Sequence, residues 1–166
     1  MTDKIKSKAH ALSSIAEACL KSGADFIVPC DEVSVLLIND IYADIKDAPD
    51  ESKQKLTALI LKSRGSKPEF YNQLPFKFET VELAKSIGIN TPPQKKCESA
   101  DEAKEFASGT GYPVVLKGSF GNAGVMVRIC MGEDDIEPEF KSLKDYGDVS
   151  IQAFIDGTPH MVNVHI

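Results

Sequence analysis

A run of strand-forming residues, Tyr112-Pro-Val-Val-Leu-Lys117, ends in a lysine, and a small-residue stretch, Gly118-Ser-Phe-Gly-Asn-Ala-Gly124, follows directly. Glycines let backbone N–H groups approach an anion with no Cβ in the way, and several such donors in succession form an anion-binding concavity. A lysine at the strand end adds a point charge that reaches the same anion. The chemistry these residue types suit is phosphate binding, with Lys117 at the root and Gly118, Ser119, Gly121, Asn122 and Gly124 in the loop. Ser119 and Asn122 are equally ordinary turn formers. The two common phosphate loops fail here. Counted from Gly118, GxxxxGK[ST] needs a glycine and a lysine where the chain has Ala123 and Gly124, and GxGxxG needs a glycine at Phe120. The loop falls between two predicted strands, so no helix N-terminus backs it. Taken alone, it reads more simply as a flexible hairpin with a surface lysine.

Two further groups of residues are chemically notable. Lys77 opens an amphipathic helix, where a lysine opposes the macrodipole and gains nothing structurally; its plain reading is a solvated charge. Downstream, Ile151-Gln152-Ala153-Phe154-Ile155-Asp-Gly157 forms a strand and turn, with Pro159 and His160 after it. Taken by itself, His160 reads as a strand-surface histidine.

These residues must be positioned by recognisable elements. Leu12, Ile15, Ala16, Cys19 and Leu20 recur at helical spacing over 8–22, and Gly23 supplies a left-handed stop. The apolar run 24–30 reads as a strand of a covered parallel sheet. Asp31 caps a helix through Val33, Leu36, Leu37 and Ile41, and another helix spans about 51–63 before Gly65. A second unit starts near Leu74, with a helix over 76–87 closed by Gly88 and an extended segment, 89–93, shaped by its prolines. Ser99-Ala-Asp-Glu102 is a capping box for a helix of about 100–108. Strands at 114–117 and 125–130 flank the glycine loop as a hairpin, a helix covers about 134–144, and a strand covers 150–155. Residues 161–166 alternate, Val162, Val164 and Ile166 on one face, and the chain stops inside that run.

Composition excludes several classes. The 166 residues are 42% apolar and 27% charged with net charge −6, and no basic stripe interleaved with aromatics suggests nucleic acid. No apolar run is long enough for a membrane span, and the N-terminus reads as an amphipathic helix rather than a signal peptide, so a cytoplasmic location is expected. Cys19, Cys30, Cys97 and Cys130 form no CxxC pair, and His10, His160 and His165 add no zinc-finger spacing. Reduced structural thiols are expected.

Three segments in order resemble the ATP-grasp superfamily, which includes biotin carboxylases, the carbamoyl-phosphate synthetase large chain and D-alanine–D-alanine ligases. Lys77, a helix, then Gly88-Ile-Asn-Thr-Pro-Pro is similar to the family's entry segment. Tyr112-Pro-Val-Val-Leu-Lys117 is similar to its strand with a second phosphate-contacting lysine, and Ile151-Gln152-Ala-Phe-Ile155-Asp-Gly157 to its hinge. The resemblance covers about 68–166 and, more faintly, 24–67. It implies that Lys77 and Lys117 reach ATP phosphates, that 118–124 closes over them, and that Gln152, Ala153, Phe154 and Ile155 hold adenine, with His160 at a nucleotide hydroxyl. The family's usual hinge glutamate has no clear match; Gln152 is the nearest polar residue, able to accept from the adenine amino group through its amide oxygen, and the loop has fewer glycines than in biotin carboxylases.

The fold class expected is α/β. A partial parallel-sheet domain (1–73) precedes an α+β ATP-grasp lid (74–149) and the first strands of the ATP-binding core (150–166). The implied reaction activates a carboxylate as an acyl phosphate for attack by an amine or similar nucleophile. The partners are ATP and a small-molecule carboxylate. Mg²⁺ belongs to the complete enzyme; Asp134, Asp135 and Glu137 read as helix surface, and no metal ligand is assigned within the chain. The chain is therefore read as a truncated nucleotide-binding part, inactive alone, with self-association through 161–166 or an unstructured tail as the two outcomes for its end. Other readings are a non-catalytic nucleotide-binding module and an interaction domain that keeps the fold without ATP.

Overall fold

The computed structural model describes residues 8–65, 67–121, 124–158 and 160, with side chains from His10 onward. The alternating run 161–166, Pro159 and the loop residue Asn122 lie outside the described residues. The chain divides into two compact units, Met1–Thr80 and Val81–Ile166.

The first unit is helical. Helix α1 (Lys8–Ser22) is followed by α2 (Glu32–Ile45) and α3 (Glu51–Arg64), then a 3-10 turn at Pro68–Phe70. The Asp31 carboxylate accepts from the Ser34 N–H and Asp50 from the Lys53 N–H, each satisfying a donor that the first helical turn leaves unmet. Gly65 ends α3 at φ 64°, the left-handed turn that a Cβ disfavours. Ile38, Ile41, Leu56, Ile60 and Tyr71 are buried together, with Leu12, Ile15, Ala16 and Cys19 packed against them. The α1 stripe is the one that the helical spacing announces, except that Leu20 is exposed; α2 differs, with Val33 exposed and Ile38 buried beside Ile41.

The first unit departs from the parallel sheet expected of it. Residues 24–30 form no strand, and none is present among the described residues of this unit. Val28 is 70% exposed, and the Ile27 N–H donates to the Ser63 hydroxyl at 2.9 Å. A strand requires a neighbouring ladder; lacking one, the segment satisfies its backbone on a helix side chain.

Helix α4 (Lys77–Ser86) begins at the end of the first unit; in the second it leads through Gly88 to β1 (Gln94–Cys97), α5 (Ala100–Thr110), β2 (Val114–Gly118), β3 (Val127–Cys130), α6 (Glu133–Lys144) and β4 (Val149–Ala153). One four-stranded sheet has the order β1-β4-β2-β3, and every neighbouring pair is antiparallel. Helix α5 opens on Ser99, whose hydroxyl accepts from the Glu102 N–H. The Glu102 carboxylate reaches back one residue further than a capping box does, to the Glu98 N–H at 3.2 Å. Asp135 caps α6 by accepting from the Met131 and Gly132 N–H groups.

Strand alternation gives the sheet two unlike faces. Cys97, Val114, Leu116, Cys130, Val149 and Ile151 join Ala103 and Ala107 of α5 and Ile136, Phe140 and Leu143 of α6 in a single core. Full burial of each large aliphatic side chain there stabilises by about 1.5–3 kcal/mol. The residues between them, Gln94, Lys96, Val115, Lys117, Ser150 and Gln152, share the opposite face by the same register.

Candidate functional site

The polar face of the second unit is organised around Lys117 and Gln152. Lys117 is opposite Ser150 and Gln152 is opposite Val115, so the two are diagonal neighbours on one face of β2 and β4. Their side chains meet: Lys117 Nζ donates to Gln152 Oε1 at 2.6 Å. Gln152 is 8% exposed, and its amide nitrogen donates to Gln94 Oε1 at 3.4 Å. Gln94 Nε2 in turn donates to Glu82 Oε1 at 2.9 Å. A cation, two amides and a carboxylate thus run head to tail across β2, β4, β1 and on to α4. Gln94 and Glu82 were not legible as site residues, because Gln94-Lys-Lys-Cys97 has no apolar alternation to mark it as a strand.

The glycine loop is shaped by packing as well as by any ligand. At Gly121, φ is 135°, and a Cβ would come 2.5 Å from Met126 Cγ; at Gly118 it would come 2.9 Å from Met126 Cε. Gly118 donates its N–H to the Met126 carbonyl and Ser119 to the Asp148 carbonyl, both at 2.9 Å. Those two residues therefore spend their own N–H groups within the fold, and what they offer an anion is the Ser119 hydroxyl. Gly124 closes the return turn at φ 75°, its carbonyl accepting from the Val127 N–H.

The hinge segment leaves the sheet beside an extended proline segment. Ala153 donates its N–H to the Pro93 carbonyl at 3.0 Å and Phe154 to the Pro113 carbonyl at 3.4 Å. Ile155 is exposed and, with Asn90, Thr91, Pro92 and Pro93, lines an open cleft of about 330 Å³. His160 is exposed beyond it. Lys77 lies in the first unit at the start of α4; burial lowers its pKa, opposed by the Glu32 carboxylate. The structure brings Lys117 and Gln152 into contact and sets Ala153, Phe154 and Ile155 in sequence after them. Among the described residues, no three His, Cys, Asp or Glu side chains lie together as a metal-binding group, and no helix is long and apolar enough to cross a membrane.

Known proteins resemble the chain over this region. It is 30% identical over 94 residues, 51% of its length, to the 2-oxoglutarate carboxylase small subunit of Hydrogenobacter thermophilus, and covers 20% of that protein. It is 26% identical over 96 residues, 56% of its length, to the mitochondrial arginine-specific carbamoyl phosphate synthase large chain of Neurospora crassa, covering 8% of it. The solved biotin carboxylase domain of the H. thermophilus 2-oxoglutarate carboxylase, in complex with MgADP, ADP and bicarbonate, superposes with a TM-score of 0.66. That match has 20% identity and covers 93% of this chain and 34% of the other, a likeness of fold. The chain spans a fifth or less of the two full-length relatives. The family model described as carbamoyl-phosphate synthase L chain, ATP binding domain, matches residues 77–160, just over half of the chain, and the chain belongs to that family, within the ATP-grasp superfamily.

Proposed function

We propose that the chain is the nucleotide-binding part of an ATP-dependent ligase that activates a carboxylate for attack by an amine or similar nucleophile. In that reaction a carboxylate oxygen attacks the γ-phosphorus of ATP and ADP departs. The nucleophile then displaces phosphate from the acyl carbon. The protein's part in the first step is positioning and charge neutralisation.

The observation that carries this reading is the contact of Lys117 with Gln152, which puts a cation and an amide acceptor side by side at the junction of the glycine loop and the hinge. Lys117 supplies positive charge to the phosphates, and the Ser119 hydroxyl adds a donor. Gly118, Gly121 and Gly124 keep the approach clear, and the Asn122 amide is a further donor by its residue type. Gln152 faces the adenine edge, and the backbone of Ala153, Phe154 and Ile155 lies along it. The family resemblance assigns Lys77 to phosphate and His160 to a nucleotide hydroxyl. Mg²⁺ would neutralise phosphate charge in the complete enzyme. Among the described residues, no three His, Cys, Asp or Glu side chains lie together to hold it.

Titration calorimetry with ATP tests the assignment. A charge-assisted hydrogen bond contributes about 1.5–3 kcal/mol, so Lys117→Ala should weaken ATP binding by roughly ten- to a hundredfold, and Lys77→Ala by less. Unchanged affinity in Lys117→Ala would remove the phosphate-binding role from this loop.

A further inference from the structure

The hydrogen-bonded chain from Lys117 to Glu82 has a direction that chemistry alone sets. A lysine ammonium can only donate and an ionised carboxylate can only accept. Glu82 therefore takes the Gln94 amide nitrogen, at 2.9 Å. That turns Gln94 Oε1 toward Gln152, which answers with its own Nε2 at 3.4 Å. The one group of Gln152 left facing Lys117 is Oε1, at 2.6 Å. Both amides are oriented from both ends, with no equivalent flipped arrangement: reversing either would set donor against donor or acceptor against acceptor.

Each end has a separate consequence. If Lys117 moves toward phosphate, its hold on Gln152 weakens, and the Glu82–Gln94 arm becomes what keeps the amide from turning. A carbonyl oxygen carries two lone pairs, so Oε1 can also accept a second hydrogen while Lys117 stays. In either case Nε2 is committed to Gln94, and the amide presents an incoming base with an acceptor only.

We propose that Glu82, acting through Gln94, is a positioning residue that sets base preference at the nucleotide site by holding Gln152 Oε1 as an acceptor, so that a base with an exocyclic amino group is favoured over one with a carbonyl there. The inference rests on the nucleotide-binding reading above. A site built to accept such a hydrogen rejects a base that offers a carbonyl lone pair instead, because two acceptors then face each other.

Calorimetric titration with ATP and with inosine triphosphate, which replaces the 6-amino group by a carbonyl, reads the preference directly. Glu82→Leu is expected to reduce the ATP-to-inosine triphosphate affinity ratio by about three- to tenfold, the range of a neutral hydrogen bond. Glu82→Gln, whose amide oxygen still accepts, should recover most of it, and Gln94→Leu should match Glu82→Leu. A purely structural role would lower both affinities together and leave the ratio unchanged. In the nucleotide-free chain, the side-chain NH₂ resonances of Gln152 and Gln94 should exchange slowly with water, and faster in Glu82→Leu, a readout that also reports folding. An unaltered ratio in both Glu82→Leu and Gln94→Leu, with Gln152→Leu lowering it, overturns the inference and leaves nucleotide binding standing. Failure of the unsubstituted chain to bind ATP, with both glutamine signals still protected, overturns the nucleotide reading and base selection with it.

Discussion

In the first unit, Asn39 and Tyr71 are 3% and 2% exposed, and Asn39 Nδ2 donates to the Tyr71 carbonyl. Yet Asn39 Oδ1, the Tyr71 hydroxyl, Thr57 Oγ1 and Arg64 Nε meet no hydrogen-bond partner among the described residues. The Arg64 guanidinium instead lies 5.1 Å from the Tyr71 ring centroid. In the second unit, Gln152 is comparably buried, but its amide is held at both ends in a chain bounded by a lysine and a carboxylate. Burying a polar group costs roughly 1–3 kcal/mol when it finds no partner, and far less when it does. The two units therefore respond in opposite senses to the loss of a polar atom: the helical unit is relieved of a cost, and the sheet unit loses a partnership.

The apolar interiors set the largest effects and should not differ. Leu116→Ala in the sheet and Leu56→Ala in the helical unit each remove a side chain that is at most 2% exposed, and each should destabilise by about 2–5 kcal/mol. Hydrogen exchange of amides within each unit measures this. A much smaller cost for Leu56→Ala would mean that the helical core is loosely packed, and would reassign the contrast to packing rather than polar satisfaction.

The decisive pair is polar. Gln152→Leu, which strips an acceptor from Lys117, should cost about 1–3 kcal/mol, whereas Tyr71→Phe, which deletes a hydroxyl lacking a partner, should be neutral or slightly stabilising. Urea unfolding of both variants decides it, and equal losses would break the comparison.

Thiols offer a test by pH. Burial raises the Cys97 and Cys130 thiols from the ordinary value of 9.0 to about 11, while Cys30 in the helical unit is exposed. Above pH 9 the unfolded chain releases these two protons and the folded chain retains them. Their contribution to stability is complete below about 9 and is lost as pH rises to about 11, each thiol contributing a slope of about 1.4 kcal/mol per pH unit in that window. Chemical denaturation at several alkaline pH values should show a shallower decline for Cys130→Ala. At pH 8, an alkylating reagent should label Cys30 well before Cys97 or Cys130.

The smallest effects lie on the surface. Lys104 and Glu137 are 3.3 Å apart on the solvent side of α5 and α6, with the Glu137 side chain 73% exposed. Glu137→Gln should change stability by less than about 1 kcal/mol, and less still in high salt, as thermal melts can record.

Local rules determined much of this molecule. Helices α1 to α4 follow from apolar spacing and α5 from its Ser99 cap, with Asp31 capping α2, because these signals depend on residues only a few positions apart; the Asp50 cap of α3 emerged only with the structure. The hairpin of β2 and β3 around the glycine loop was legible for the same reason, and the order of motifs already pointed to the family. Tertiary structure decided the rest. Residues 24–30 are apolar enough for a strand and form none, since strand character needs a partner that composition cannot supply. Gln94-Lys-Lys-Cys97 looks like a loop and becomes a strand because β4 pairs with it. That pairing sets Gln94 beside Gln152, 58 residues away in sequence, and links Lys117 to Glu82. No periodicity encodes contacts at such separations; they exist only once the sheet has aligned strands that are distant in the chain.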